Sequence, residues 1–186
     1  MDDNDLYGKI DLSSFSRTSE AVSINIKLVW LIDFASQTVS GTCEHIVKLL
    51  KPGVSDICFD SSKLHIIGDV IVGYKVQKTN TETQIFSIVN FNKHVLQAGS
   101  YSLSDEDPIL GRCLTVQVPE EHQYEGSIFS IQFTYSTDPA ASAIQWLNPA
   151  NTKGKNFPFV FTQSQAIHAR TLLPCMDSPG YISILS

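Results

Sequence analysis

The feature that most constrains this 186-residue chain is a hydrophobic period of two with no competing period of 3.6. Phe129, Ile131, Phe133 and Tyr135 alternate with Ser130, Gln132 and Thr134, and Ile24, Ile26, Leu28, Trp30, Ile32 and Phe34 alternate with Asn25, Lys27 and Asp33. Successive side chains of a strand point to opposite faces, so this pattern buries one face of a β-sheet. Residues 33–37 read as a turn, and Val39, Cys43, Val47 and Leu49 continue at even spacing. Segments 24–34 and 38–50 are therefore expected to form an antiparallel hairpin, ended by Pro52-Gly53. Further strands are expected at 56–59, 63–67, 70–76, 83–91 and 113–118, with turns at Asp60-Ser61-Ser62 and Gly68-Asp69. Residues 100–112, with Asp105-Glu106-Asp107, read as a solvated acidic loop. The modest helical candidates are 140–147 and 166–172. Many short strands between turn signals predict an all-β, mostly antiparallel β-sandwich.

Composition sets limits on function. Hydrophobic residues make up 42% of the chain and charged residues 17%, which suits one globular domain with a sizeable core. Residues 21–186 are expected to form that domain, and residues 1–20 a loose arm. The net charge is −6 and no Lys/Arg block occurs, which argues against nucleic acid as a partner. The N-terminus lacks the basic and apolar regions of a signal peptide, and the apolar run 28–32 is too short to span a bilayer. A soluble, cytoplasmic protein without membrane contact is expected. Cys43, Cys58, Cys113 and Cys175 are widely spaced without a CxxC pair, and are expected to be buried reduced thiols.

Several chemistries lack their motifs. A helix-borne zinc site of the H-E-x-x-H type places two histidines one turn apart. The histidines here are His45, His65, His94, His122 and His168, and none has another four residues on. Glu44-His45 and Glu121-His122, if on strands, point to opposite faces. No metal site is expected within the chain. Neither G-x-S-x-G nor a phosphate-binding glycine loop is present.

Residues 157–180 read FPFVFTQSQAIHARTLLPCMDSPG. Gln163 and Gln165 are two apart, so in an extended segment they share a face. A pair of amides can grip the polar end of a small ligand, although by residue type alone bonding to neighbouring backbone in an edge strand is the commoner fate. Arg170 and Asp177 are expected to pin the loop as a charge-assisted pair. His168 is expected to make a structural hydrogen bond, and Trp146 to pack on the core.

These residues carry a resemblance. Ser142-Ala143-Ile144-Gln145-Trp146-Leu147, Thr152-Lys153-Gly154-Lys155, residues 162–170 and Leu173-Pro174-Cys175-Met176-Asp177-Ser178-Pro179 closely resemble the N-terminal domain of the leukotriene-A4 hydrolase group of zinc aminopeptidases. Ile57-Cys58-Phe59-Asp60 with Leu64-His65-Ile66, and segment 33–41, are similar to that family's early strands. The resemblance implies a saddle-like β domain. It assigns Gln163, Gln165 and Ala166 to substrate binding, with Gln165 at the position that contacts the free α-amino group of a peptide. It also implies that zinc and the general base lie in a separate catalytic domain, because the family's H-E-x-x-H and Gly-x-Met-Glu-Asn segments are missing here. On this reading the chain caps the active-site cleft, is inactive alone, and has its own catalytic domain and, through it, a peptide substrate as partners. A sheet lacking its last strands would leave an edge open to weak homodimer pairing. The alternative is a non-catalytic binding or regulatory module derived from the same family.

Overall fold

The computed structural model describes residues 11–75, 94–179 and 184–185. The strands in chain order are β1 (Ala21–Asp33), β2 (Thr38–Leu49), β3 (Asp56–Ser61), β4 (Leu64–Ile66), β5 (Val70–Lys75), β6 (His94–Gly99), β7 (Tyr101–Leu103), β8 (Arg112–Gln117), β9 (Ile128–Thr137), β10 (Ile144–Leu147), β11 (Phe159–Thr162) and β12 (Ile184–Leu185). Short 3-10 turns at Glu120–His122, Pro149–Asn151 and Ala169–Thr171 are the helical elements of the described residues. The fold is all-β, as the period of two requires.

The strands form three sheets. A seven-stranded sheet runs β12-β1-β2-β9-β5-β6, with β4 also pairing β9. A three-stranded sheet runs β3-β8-β7, and β10 with β11 makes a two-stranded ribbon. Every pairing is antiparallel except β1 with β12. The two larger sheets share one core. Phe59 of β3 meets Phe133 of β9 edge-on at 5.1 Å, and His45 of β2 lies 4.8 Å from the Phe59 ring. Phe129, Ile131, Phe133 and Tyr135 are all buried, as their alternation predicts. Burial of large apolar side chains of this kind, about 1.5–3 kcal/mol each, is the main driving term of such a domain.

The expected hairpin is present: β1 and β2 pair continuously from Ala21 with Leu49 to Asp33 with Thr38. One detail departs from the simple alternation. The register shifts between Ser23 and Asn25, leaving Ile24 as an unpaired bulge residue. The bulge turns Ser23, rather than Ile24, into the core. At the far end, Ile32 and Phe34 keep the inward phase but lie beyond the core. There Trp146 of β10 packs edge-on against Phe34 at 5.6 Å.

Other expectations are corrected. The helical candidate 140–147 contains strand β10, and 166–172 holds one short 3-10 turn. Four apolar or amide residues in a row do not distinguish helix from strand, and pairing with β11 decides it. The expected turn at Asp60-Ser61-Ser62 begins later, because β3 continues through Ser61 and Lys63 takes the positive φ of 55°. The acidic loop 100–112 contains β7, while Asp105, Glu106 and Asp107 are exposed as expected. The expected strand 83–91 lies outside the described residues. Residues 11–20 of the expected arm are anchored: Ser14, Phe15 and Ser16 all hydrogen-bond Asp60, and Ser178 donates to Asp11. Among the described residues no helix is long and apolar enough to cross a membrane.

His45 sits at the centre of this core with no exposed surface. Its Nε2 lies 2.9 Å from the Pro174 carbonyl, an acceptor only, so that nitrogen carries the proton. Nδ1 is left to accept from the Ser23 hydroxyl at 2.7 Å, a contact the β1 bulge creates. Burial pulls the imidazole pKa down to about 4, and the hydrogen bond to Pro174 opposes this only in part. An unfolded histidine titrates near 6.5, so the unfolded chain binds more protons as the pH falls from about 6.5 to about 4. Stability from the neutral imidazole is thus full above that window and is lost by about 3 kcal/mol at its lower end. Urea unfolding at pH 7 and pH 4.5 checks this. The His45→Gln variant should start from a lower midpoint and lose less between the two pH values than the wild-type chain.

Candidate functional site

The site is built on the turn that follows β11. Gln163 continues the line of the strand, its amide N–H donating to the Ala143 carbonyl at 2.9 Å. The chain then turns through residues 165–168 instead of staying extended. The Gln163 side-chain oxygen accepts from the Gln165 backbone N–H at 2.9 Å, and the Gln165–Ala166 peptide is cis. The two glutamines therefore do not project as a matched pair from a strand. Gln163 uses its amide oxygen to shape the turn, and Gln165 and Ala166 stand exposed at its tip.

This turn is bolted to the start of β10. His168 donates its backbone N–H to the Ser164 carbonyl at 2.9 Å, and its Nδ1 lies 2.6 Å from the Ser142 hydroxyl. Thr171 donates to the His168 carbonyl and accepts from the Ala143 N–H, both at 2.9 Å. His168 thus makes the structural contact expected of it, by both backbone and ring.

Beneath the turn lies a buried charge cluster that the residue pattern reveals only in part. Arg170 is 1% exposed. Its Nε donates to Asp177 Oδ2 at 3.0 Å, so the structure places these two residues together. Nη1 donates to the Leu110 carbonyl at 3.0 Å, and Nη2 to the Ser13 and Asp177 carbonyls at 2.7 and 3.1 Å. Leu110 can approach because Gly111 follows it at φ +79°, where a Cβ would sit 2.5 Å from the Ser61 carbonyl.

The member that sequence reasoning missed is Asp60, which is fully buried. Its carboxylate accepts from Ser14 Oγ at 2.5 Å, Phe15 N at 2.7 Å, Ser16 Oγ at 2.8 Å and Asp177 N at 2.9 Å. Arg170 Nη1 stands 3.7 Å from it. Its backbone also bridges to Cys175 in both directions. The available signal was an aspartate that keeps the strand going after the apolar Ile57 and Phe59, which reads equally well as a turn. Two carboxylates face one guanidinium, and neutral N–H and O–H donors supply the balance.

Metal binding does not fit this donor set. Among the described residues no group of three or more His, Cys, Asp or Glu side chains is placed to hold a metal ion. His45 is consumed by the core, and His122 lies on a 3-10 turn, not a strand, with its ring stacked 3.7 Å from Tyr74.

A buried charge left without its partner costs about 3–5 kcal/mol. Asp60→Ala and Asp177→Ala should each lower the unfolding free energy by that order in urea titration. Arg17→Ala, which breaks an exposed pair with Glu20 and Asp56, should cost under about 1 kcal/mol.

Known proteins share this architecture. Residues 21–184 match the Peptidase M1 N-terminal domain family. The leukotriene A-4 hydrolase homolog of Botryotinia fuckeliana is 29% identical over 135 residues, which is 69% of this chain and 21% of that protein. Leucine aminopeptidase 2 of Sclerotinia sclerotiorum is 30% identical over 135 residues, 69% of this chain and 22% of that protein. The native leukotriene A4 hydrolase structure from Saccharomyces cerevisiae superposes with a TM-score of 0.74 at 23% identity, covering 95% of this chain and 24% of that one. An M1 zinc metallopeptidase from Deinococcus radiodurans superposes with a TM-score of 0.60 at 13% identity, covering 93% of this chain and 33% of that one. The chain thus spans about a fifth of the length of these curated relatives. With the matched span covering most of the chain and the fold in agreement, the chain belongs to the peptidase M1 N-terminal domain family.

Proposed function

We propose that this chain is the N-terminal domain of a zinc-dependent aminopeptidase resembling leukotriene A4 hydrolase, that it caps the active-site cleft, and that Gln163, Gln165 and Ala166 hold the free N-terminus of a peptide substrate. The observation that carries this reading is the exposed tip at Gln165 and Ala166 on a turn anchored from below and from the side. A glutamine side-chain oxygen accepts from an ammonium group without bringing a charge of its own. The backbone carbonyls of a tight turn can add further acceptors. Gln163 acts through the turn, since its oxygen already holds the Gln165 N–H. Arg170 and Asp177 support the turn from the core.

The surface beside the turn supports a domain partner. Phe157, Phe159 and Phe161 are 78%, 55% and 43% exposed, and the latter two rings stack at 6.3 Å. Contiguous exposed aromatic surface of this kind marks an interface. On this reading it faces the catalytic domain in the rest of the polypeptide. Zinc and the general base belong there, and this chain by itself hydrolyses no peptide. The reading also includes a cytoplasmic location. A weak homodimer by edge pairing belongs to it too, since among the described residues β12 pairs with β1 at Asn25 and Ile26 alone.

Gln165→Ala in the full-length enzyme tests the binding role. A hydrogen bond to a charged group contributes about 1.5–3 kcal/mol, so kcat/KM for peptides should fall by about 10- to 100-fold. An unchanged kcat/KM removes the assignment. Light scattering of this chain across a concentration series should show a rising dimer fraction, and a strict monomer at high concentration removes the edge-pairing element.

A further inference from the structure

Residues 11–17 are held to the rest of the domain chiefly by polar contacts. Leu12, their aliphatic side chain, is 86% exposed, and Phe15 is half-buried. What the segment offers instead is a set of donors and an acceptor aimed at the buried charge cluster. Ser14 Oγ and Ser16 Oγ donate to Asp60 Oδ2 at 2.5 and 2.8 Å, and the Phe15 N–H donates to Oδ1 at 2.7 Å. The Ser13 carbonyl accepts from Arg170 Nη2 at 2.7 Å. Ser14 has a second task. Its hydroxyl oxygen accepts from the Ser16 N–H at 3.0 Å, which bends the segment so that three successive residues reach one carboxylate. The ends are tied separately, by Ser178 Oγ on Asp11 at 2.6 Å and by Arg17 Nη2 on the Asp56 carbonyl at 2.7 Å. Residues 11–17 thus form a strap drawn across Asp60 and Arg170.

Both residues under the strap lead to the glutamine turn. Arg170 closes it: its N–H donates to Asp177 Oδ2 at 3.1 Å, and its carbonyl accepts from the Ser62 N–H at 2.8 Å, one residue beyond β3. Asp60 holds the returning chain, through its carboxylate on the Asp177 N–H and its backbone on Cys175. A strap serving stability alone would bury apolar surface. Matched polar contacts around a buried charge fix position, because few arrangements satisfy every group.

The turn has little of its own to resist opening. Gln165 and Ala166 are exposed, and within the turn the Gln165 N–H bonds Gln163 Oε1 and the His168 N–H bonds the Ser164 carbonyl. Exposed irregular segments lie at the low end of local stability. Hydrogen bonds to a buried carboxylate lie at the strong end of their class. Losing them makes the open form of the turn populous, and affinity at the tip then falls with the closed fraction.

We propose, resting on the reading of the glutamine turn as the site for a peptide N-terminus, that Ser14 is a positioning residue for that site. It folds the strap over Asp60 and Arg170, and the filled cluster holds Gln165 and Ala166 in the binding arrangement. Ser14 acts through Asp60 and not on the substrate.

Two measurements on the same variants test this: amide hydrogen exchange of this chain, followed residue by residue by NMR, and steady-state kinetics of the full-length enzyme. Ser14→Ala should erase the protection of the Gln165 and His168 amides while β9 stays protected. It should raise KM for peptides about 3- to 10-fold and leave kcat within about twofold. Ser16→Ala removes one bond but leaves the bend, and should give a smaller step in the same direction. Ser14→Thr keeps the hydroxyl and should retain both wild-type readouts. Val72→Ala, a cavity in the core at β5, is the control: it lowers global stability and should leave turn protection and KM unchanged. Turn protection that survives Ser14→Ala, or that falls equally in Val72→Ala, overturns the coupling. An unchanged KM in Ser14→Ala, in an enzyme where Gln165→Ala lowers kcat/KM, overturns the positioning role even if exchange is altered. A silent Gln165→Ala removes the binding reading and the positioning role with it, while the exchange result still decides whether the strap holds the turn.

Discussion

A buried carboxylate and a buried guanidinium hold this domain's parts in register. Asp60 lies at the end of β3, and Arg170 in the turn after the glutamine loop; neither has appreciable contact with solvent. Around them meet the N-terminal segment through Ser13, Ser14, Phe15 and Ser16, the 107–111 loop through Leu110, and the C-terminal loop through Cys175 and Asp177. A charge in so dry a place is tolerated only when nearly every donor and acceptor is matched. That demand is what makes the cluster specific. Segments distant in sequence must all be present for any one of them to be satisfied.

The glutamine turn inherits its rigidity from this arrangement. From below, the Arg170 backbone N–H bonds Asp177, and its side chain reaches three further carbonyls. From the side, Ser142, Ala143, His168 and Thr171 tie the turn to β10. From behind, the Pro174 carbonyl is held by neutral His45 of β2. Three separate parts of the core thus fix a short irregular segment whose tip, Gln165 and Ala166, makes no regular secondary structure of its own. Irregular backbone on a rigid scaffold is where binding residues commonly reside.

The legible and illegible parts of the chain divide along a physical line. The alternation at 129–135 and along β1 and β2 was readable because a strand's two faces impose a local rule. The shift at Ile24 was not, since a bulge is chosen by what the core needs, here a hydroxyl for His45. The segment 140–147 read as a modest helical candidate because so short a run carries little period, and the partner of its strand β10, residues 159–162, is twelve or more residues away. Asp60 read as a turn former, the ordinary fate of an aspartate beside two serines.

Composition and alternation by themselves determined an all-β, acidic chain, and the run from Gln163 to Asp177 pointed to the family and to the residues of interest. Only the tertiary structure decided that Gln163 spends its oxygen on the turn, that Asp60 completes the Arg170–Asp177 pair, and that Cys58 and Cys113 lie half-buried where buried thiols were expected. The reason is the range of the forces. Burial period and turn propensity act between near neighbours, whereas a buried charge or a carbonyl held by a core histidine exists only once distant segments have been brought together.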